Sequence, residues 1–343
     1  MIRVGILCPS EIAFRRFLPA VLQEKRIQYI GVAYASGEEW FGSSYTGTEK
    51  EKAVLAKERE KAEHFIETYK GKIFEGYKAM IQSGELDAVY IPLPPALHFK
   101  WAEVALQNGL HVFVEKPSTT SLADTQRLVD LASNKKLALH ENYMFAFHSQ
   151  LKEVQDAIVR GEIGEIRQYR INFGFPRRAQ GDFRYIKALG GGALLDCGGY
   201  TLKYADILLG ESTKLEYASV QYTEDFDVEV FGTAILKNKN GLTVQASFGM
   251  DNDYRCSIDA WGSKGTLTSN RILTAPEGFE PSYEISKNGE KTIVKMQADD
   301  AFLKSIERFC DCISNETVRI ENYEVLLRQE RLVEEFMEKS GMR

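Results

Sequence analysis

The stretch DAVYIPLPPALHFKWAEVALQNGLHVFVEKP, residues 87–117, decides the fold. Ala88-Val-Tyr-Ile-Pro92 and His111-Val-Phe-Val114 are apolar runs without polar alternation, and Leu97 to Leu106 between them has helical spacing. Strands that are apolar on both faces and joined through a helix belong to a parallel sheet covered on both sides. Outward from this unit the alternation repeats. Strands are expected at Ile2 to Leu7, Tyr29 to Ala35 and Leu137 to His140, and helices around Ile12 to Leu22, Ala62 to Tyr69 and Leu122 to Ala132. The polar run Glu38 to Lys57 reads as an inserted loop.

The pattern changes after a helix at Gln150 to Val159. Glu165–Phe175, Leu215–Tyr222, Val228–Leu236, Thr243–Asp251 and Arg255–Trp261 alternate with period two, which marks a mostly antiparallel sheet with one face packed. Two helical stretches, Ala301–Ser314 and Tyr323–Glu338, close the chain and are expected to return toward the first domain. The fold class is α/β, with a doubly wound parallel sheet in residues 1–120 and an α/β domain with a large open sheet in residues 121–343.

Bulk properties narrow the function. The chain has 343 residues, 44% hydrophobic and 27% charged, enough to bury its own core. A net charge of −6 and the lack of a basic block argue against nucleic acid and anionic membranes as partners. No apolar run approaches the roughly 18 residues of a membrane span, and the first residues, MIRVGILCP, lack the layout of a signal peptide. Five scattered cysteines, Cys8, Cys197, Cys256, Cys310 and Cys312, show no metal spacing and fit reduced thiols in the cytoplasm.

Three motifs carry chemistry. The first βα turn reads Gly5-Ile-Leu-Cys8-Pro9-Ser10-Glu11-Ile12-Ala13, with Cys8 and Ser10 where a dinucleotide fingerprint has its first two glycines. Taken alone it equally describes an ordinary capped turn. Ser10 is placed to cap the helix and donate to a phosphate. The second strand ends in Ala35-Ser36-Gly37 rather than an acid, which leaves room for a 2′-phosphate and favours NADP over NAD. The second motif, Glu115-Lys116-Pro117, ends a parallel strand and so places Lys116 at the carboxyl edge where α/β sheets bind ligands. A solvated ion pair is the plain alternative there. Pro117 fixes the backbone, in either peptide isomer. The third is Gly190-Gly-Gly-Ala-Leu-Leu-Asp196-Cys-Gly-Gly-Tyr200, where Asp196 and Tyr200 are four apart on an expected helix. A phenol titrates near ~10, and a neighbouring ammonium lowers that value, so Lys116 and Tyr200 would make a proton-transfer couple. A buried tyrosine and a capping aspartate are the plain reading of the same residues.

Together these residues resemble the glucose-fructose oxidoreductase/inositol dehydrogenase (Gfo/Idh/MocA) family. The matches are Val4-Gly-Ile6…Ile12-Ala13, Tyr90-Ile-Pro92-Leu-Pro94…His98, Val114-Glu115-Lys116-Pro117, Glu141-Asn-Tyr143-Met-Phe145…Phe147-His148 and Gly190 to Tyr200, extended by Phe231-Gly-Thr-Ala234 and Trp261-Gly-Ser-Lys-Gly265. The resemblance implies a Rossmann domain, oligomers (homodimer or homotetramer) built through the C-terminal sheet, and NAD- or NADP-dependent oxidation or reduction of a sugar, cyclitol or sugar derivative. It implies cofactor contacts at Cys8, Pro9, Ser10, Glu11, Ile12, Ser36, Pro92, Pro94, His98, Glu115 and Lys116. It implies substrate contacts at Tyr143, Phe145, Arg184, Asp196 and Tyr200, with Lys116, Tyr200 and Asp196 catalytic and no metal. Many members have His at position 200. Tyr200 resembles a subgroup that includes xylose and dihydrodiol dehydrogenases and nucleotide-linked keto-sugar reductases. Ile12 to Ala20, with Arg15, Arg16 and Pro19, is similar to the keto-sugar reductases in particular. The glycines lost at Cys8 and Ser10, the 38–57 insertion and Ala146 in place of an arginine are departures. The first two bear on cofactor preference and affinity, and Ala146 on substrate contacts. The alternatives are a free aldose or dihydrodiol dehydrogenase and, from the loop at Cys8–Ser10, a non-catalytic nucleotide- or sugar-binding sensor or scaffold. His98 and His148 fit structural hydrogen bonding better than catalysis.

Overall fold

The computed structural model describes residues 1–179 and 181–342. It divides into two compact units, one of Met1–Asn142 with Ser305–Leu326, the other of Tyr143–Lys304 with the chain from Leu327.

The first unit holds six parallel strands: β1 (Ile2–Leu7), β2 (Ile27–Tyr34), β3 (Lys72–Glu75), β4 (Ala88–Ile91), β5 (His111–Val114) and β6 (Leu139–Glu141). Their order, β3-β2-β1-β4-β5-β6, is the doubly wound arrangement whose ligand crevice lies at the carboxyl ends beside β1. β4 is buried at every residue, as its unbroken apolar run requires. The unit continues past residue 120, where the sequence alone places the division, because β6 pairs with β5. The C-terminal helices enter it as well. His140 Nε2 meets Ser305 Oγ at 2.9 Å, Asn322 donates to the Leu139 carbonyl at 2.7 Å, and Arg26 pairs with Asp311 at 2.6 Å.

The expected 38–57 loop is a correction: it contains helix. Gly37–Phe41 is a short helix, and Glu49–Tyr69 is a continuous one of 21 residues. A capping box between Thr48 and Glu51 starts the longer helix, and Lys52–Glu49, Lys61–Glu58 and Arg59–Glu63 pairs run along its face. Only Glu58, Ala62 and Phe65 are buried, so the apolar periodicity that reveals most helices is nearly absent. What it buries is local. Phe14 stacks on His64 at 4.6 Å, and the Tyr69 hydroxyl donates to the Phe14 carbonyl at 2.9 Å.

The second unit carries eight strands: β7 (Ile166–Gly174), β8 (Lys214–Tyr222), β9 (Glu229–Lys237), β10 (Thr243–Gly249), β11 (Arg255–Gly262), β12 (Thr266–Asn270), β13 (Ser282–Lys287) and β14 (Glu290–Lys295). The order is β14-β13-β12-β11-β7-β10-β9-β8, antiparallel except for the parallel β7–β10 pair. The last three strands escape the period-two reading, although Asn288-Gly289 between β13 and β14, both at positive φ, is a hairpin signal. One sheet face packs on the helix Gly199–Leu209 through residues such as Ile171, Ala246, Phe248 and Ile258. Burying each of the larger of these stabilises the unit by roughly 1.5–3 kcal/mol. Among the described residues no helix is long and apolar enough to cross a membrane.

Candidate active site

In the first unit the turn after β1 follows a glycine's path without a glycine. Cys8 has φ 98°, a conformation that costs a non-glycine residue about 1–3 kcal/mol. Its thiol bonds with the Tyr77 hydroxyl, and burial, aided by the Glu58 charge, pushes it up to about 12. It is therefore an unreactive packing group. Pro9 is buried, and the Ser10 hydroxyl accepts from Ala13 N–H at 3.3 Å, the expected cap. Glu11 and Ile12 open the helix, so their N–H groups have no intrahelical acceptor and are available to a phosphate. A π-helical turn, Ala13–Phe17, follows. This backbone fits a dinucleotide's pyrophosphate.

Beyond β2, Ser36 caps the helix Gly37–Phe41. Glu39, which the motif reading passed over, turns back inside. Its carboxylate accepts from the backbone N–H of Ser36 at 2.9 Å, Tyr77 at 2.8 Å and Lys78 at 2.9 Å. This carboxylate is thus consumed by the protein, and the residues that directly follow β2, Ala35-Ser36-Gly37, include no acid. The S-x-x-E spacing of Ser36 and Glu39 carried that signal.

At the carboxyl ends of β4 and β5 the structure gathers Pro92, Pro94, His98, Glu115 and Lys116. Pro92 is buried and Pro94 half-buried. His98 is fully buried, with Nδ1 at 2.7 Å from the Pro117 carbonyl and Nε2 at 2.6 Å from the Leu93 carbonyl. Burial lowers its pKa to about 4, so it is a neutral clip between two loops. Glu115 points inward, accepting from the Tyr90 hydroxyl at 2.6 Å and Asn142 Nδ2 at 2.7 Å, and burial raises its pKa. Lys116 is half-buried at the strand end, and the Lys116–Pro117 bond is cis.

In the second unit Tyr200 sits in a box of rings. Its centroid lies 5.1 Å from Tyr143, 5.5 Å from Phe145 and 5.3 Å from Phe173. Only 9% of Tyr200 is exposed, which fixes the ring while leaving it a path to solvent. Phe173, on β7, has no motif around it and was not anticipated. Asp196 lies in a π-helical turn, Leu194–Gly198, and accepts from Arg184 Nε at 2.8 Å. Arg184 also reaches Asp182 at 3.2 Å, so one guanidinium joins Asp182 and Asp196. Behind them the buried Glu229 carboxylate accepts from Leu194 N–H at 2.8 Å, and burial raises its pKa. His148 is buried and its Nδ1 accepts from Gln150 N–H at 3.1 Å, a structural helix cap.

Comparison with known proteins agrees with this geometry. Residues 25–143 match the oxidoreductase family with an NAD-binding Rossmann fold, and residues 151–268 match the GFO/IDH/MocA C-terminal domain. A dTDP-3,4-didehydro-2,6-dideoxy-alpha-D-glucose 3-reductase of Actinomadura kijaniata is 36% identical, covering 97% of this chain and 94% of the relative. A D-xylose 1-dehydrogenase (NADP(+)) of Haloferax volcanii is 28% identical, covering 73% and 77%. The crystal structure of KijD10, a 3-ketoreductase from Actinomadura kijaniata in complex with NADP and TDP-benzene, superposes with a TM-score of 0.88 at 35% identity, covering 98% of this chain and 97% of that one. The parallel six-stranded unit, the large open sheet and the full-length similarity agree: this chain belongs to the GFO/IDH/MocA family of oxidoreductases.

Proposed function

We propose that this enzyme reduces a keto group on a nucleotide-linked sugar with NADPH, and that Lys116 and Tyr200 serve the proton step. The observation that carries this reading is the similarity to a dTDP-keto-sugar 3-reductase along 97% of the chain. Ala35-Ser36-Gly37, where an acid would follow β2, with Glu39 turned inward beyond it, supports NADP over NAD. A bound nicotinamide supplies hydride to the keto carbon. As that C–H bond forms, the carbonyl electron pair moves to oxygen, and the Tyr200 hydroxyl gives its proton there to complete the alcohol. Lys116 hydrogen-bonds the same oxygen and stabilises the charge that develops on it. Asp196, oriented by Arg184, holds a sugar hydroxyl, and Tyr143 and Phe145 wall the ring site. The turn Cys8 to Ile12 and the segment from Ser36 take the phosphates of the cofactor. Pro92 and Pro94 flank its nicotinamide half, while His98 and Glu115 hold the loops that carry Lys116.

The test is turnover of a dTDP-linked 3-keto sugar with NADPH by Lys116→Ala and Tyr200→Phe. Each loses roughly 10²–10⁴-fold in kcat with an unchanged melting temperature. Unaltered turnover in both overturns the assignment, and faster turnover of D-xylose with NADP+ would move the substrate to free aldoses.

A homodimer or homotetramer is proposed through the open face of the second sheet. There Thr268, Asp259, Arg170, Gln245, Ile235 and Tyr217 form one transverse row of partly or fully exposed side chains. Light scattering after size exclusion reads the stoichiometry, and a monomer rejects the assembly. Five unpaired thiols support a reducing compartment, the cytoplasm.

A further inference from the structure

Arg177 and Arg178 follow β7, Arg184 lies in the turn Phe183–Tyr185 and Arg271 follows β12, and the four are of two kinds. Arg177 donates to Asp225 at 2.8 Å and to Asp251 at 2.7 Å, and Arg184 is shared between Asp182 and Asp196. Each of these is neutralised by two carboxylates. Arg178 and Arg271 are exposed, and among the described residues neither has a carboxylate within 4.0 Å. All four lie over aromatic rings, Arg177 on Phe226 and Arg184 on Phe183 included, so the missing carboxylate is what sets Arg178 and Arg271 apart. The Arg178 guanidinium is 5.0 Å from the Phe175 centroid, and that of Arg271 is 5.2 Å from Tyr254 and 5.7 Å from Phe279. A ring under a guanidinium fixes the plane of the fork and leaves its charge and edge donors available to a ligand.

Their position relates them to Tyr200. From the Tyr200 ring, 5.3 Å leads to Phe173, 6.1 Å from there to Phe175, and 5.0 Å on to Arg178. Arg271 borders the same rim. Its partner Tyr254 precedes Arg255, which pairs with Gly174, and the Asp253 carbonyl lies 3.8 Å from where a Cβ on Gly174 would stand. In a nucleotide-linked sugar the diphosphate begins one oxygen beyond the anomeric carbon. A group reduced beside Tyr200 therefore carries its two negative charges outward over one or two ring widths.

We infer that Arg178 and Arg271 form the diphosphate subsite for a nucleoside diphosphate sugar, an assignment that rests on the keto-sugar reading above. Each guanidinium takes phosphate oxygens through its paired N–H donors, as planar forks do. The carboxylate-bound Arg177 and Arg184 shape the loop and the sugar end. Because the charges of Arg178 and Arg271 are not spent inside the protein, no internal ion pair has to break when the ligand arrives.

The experiment is calorimetric titration of the full-length, NADP-loaded protein with thymidine 5′-diphosphate and with thymidine. The proteins compared are the native chain, Arg178→Gln, Arg271→Gln, the double variant and Arg178→Lys. The native protein binds the diphosphate. Each glutamine variant weakens it about tenfold, the double about a hundredfold, and Arg178→Lys only a few-fold, while affinity for thymidine and for NADPH stays constant. The subsite is overturned if the double variant binds the diphosphate within twofold of the native protein. It is also overturned if NADPH affinity falls in parallel, since the arginines would then serve the cofactor. If the native protein ignores thymidine 5′-diphosphate yet turns over a free sugar, the nucleotide-linked reading itself fails, and the subsite with it. The conservative lysine variant keeps the positive charge over Phe175, so a fold-dependent loss in the glutamine variants is distinguished from a lost phosphate contact.

Discussion

The turn after β1 and the glycine run ahead of Tyr200 both bring backbone into crowded space, yet only the second is built of glycine. Gly192 has φ 124°, and a Cβ there would stand 2.5 Å from a Glu229 carboxylate oxygen. A Cβ on Gly191 would meet the Arg184 carbonyl at 2.5 Å. At Cys8 the φ is 98°, equally foreign to an L-residue, but the side chain has a destination among Tyr77 and Glu58. What demands glycine is therefore an occupied Cβ direction, reinforced at Gly192 by an unusual φ. An unusual φ alone is tolerated at an energetic cost.

Substituting Gly192→Ala attacks the side of the comparison that has no slack. The strained φ and the displaced buried carboxylate together cost roughly 3–5 kcal/mol, read as a collapse of the melting temperature. A shift under 2 °C would mean that Glu229 relaxes freely and that the run is glycine for another reason.

Buried titratable groups sharpen the contrast between the units through pH. His111 in the first unit accepts from Ala138 N–H through Nδ1 at 2.9 Å, and burial lowers its pKa to about 4. Unfolded, it titrates near ~6.5, so the unfolded chain binds more protons between those values, and stability is lost as pH falls from about 6.5 to 4. The loss is up to about 2–3 kcal/mol and should shrink in His111→Gln, measured by denaturant unfolding at a series of pH values. Glu229 acts in the opposite sense. Its pKa is raised in the fold, so its cost appears as pH climbs above the ordinary carboxyl range of about 4.3. Glu229→Gln should equal or exceed the native protein in stability at pH 7 and lose that advantage near pH 4. A variant uniformly weaker at both values would show that the charge on Glu229 is needed to hold Leu194 N–H.

The smallest effect is expected at Cys8. Cys8→Gly relieves the positive φ but adds backbone entropy to the unfolded chain, so the net change in stability lies within about 1 kcal/mol of zero. Affinity for NADPH, followed by fluorescence titration, should rise no more than several-fold. A tenfold gain would show that the side chain obstructs the cofactor, contrary to its packing against Tyr77.

Much of this was legible in the residues themselves. Apolar runs announced β4 and β5, a short β-rich run announced β1, and the charged pair Glu115-Lys116 marked the carboxyl end of β5. The legible part stops where a residue's partner is distant in sequence. That Glu115 would turn inward to Tyr90 and Asn142, that Glu229 would brace Leu194, and that Arg177 would be neutralised while Arg178 is not, all depend on strands brought together by register. The helix Glu49–Tyr69 was missed for a different reason: it is held by its cap and surface ion pairs, which leave little hydrophobic rhythm.

The first unit is also discontinuous, and this has a consequence for how the molecule is made. His140, Leu139 and Asn142 await Ser305 and Asn322 as hydrogen-bond partners. A ribosome adding about 5–20 residues per second needs roughly ten to thirty seconds to travel from one set to the other. Throughout that interval the dinucleotide-binding half has its sheet but lacks its last buried partners. The second unit waits as well: its strands emerge in that interval, but Leu332, Val333 and Phe336 of its core lie in the chain from Leu327, so both halves are finished only by the chain's last helix.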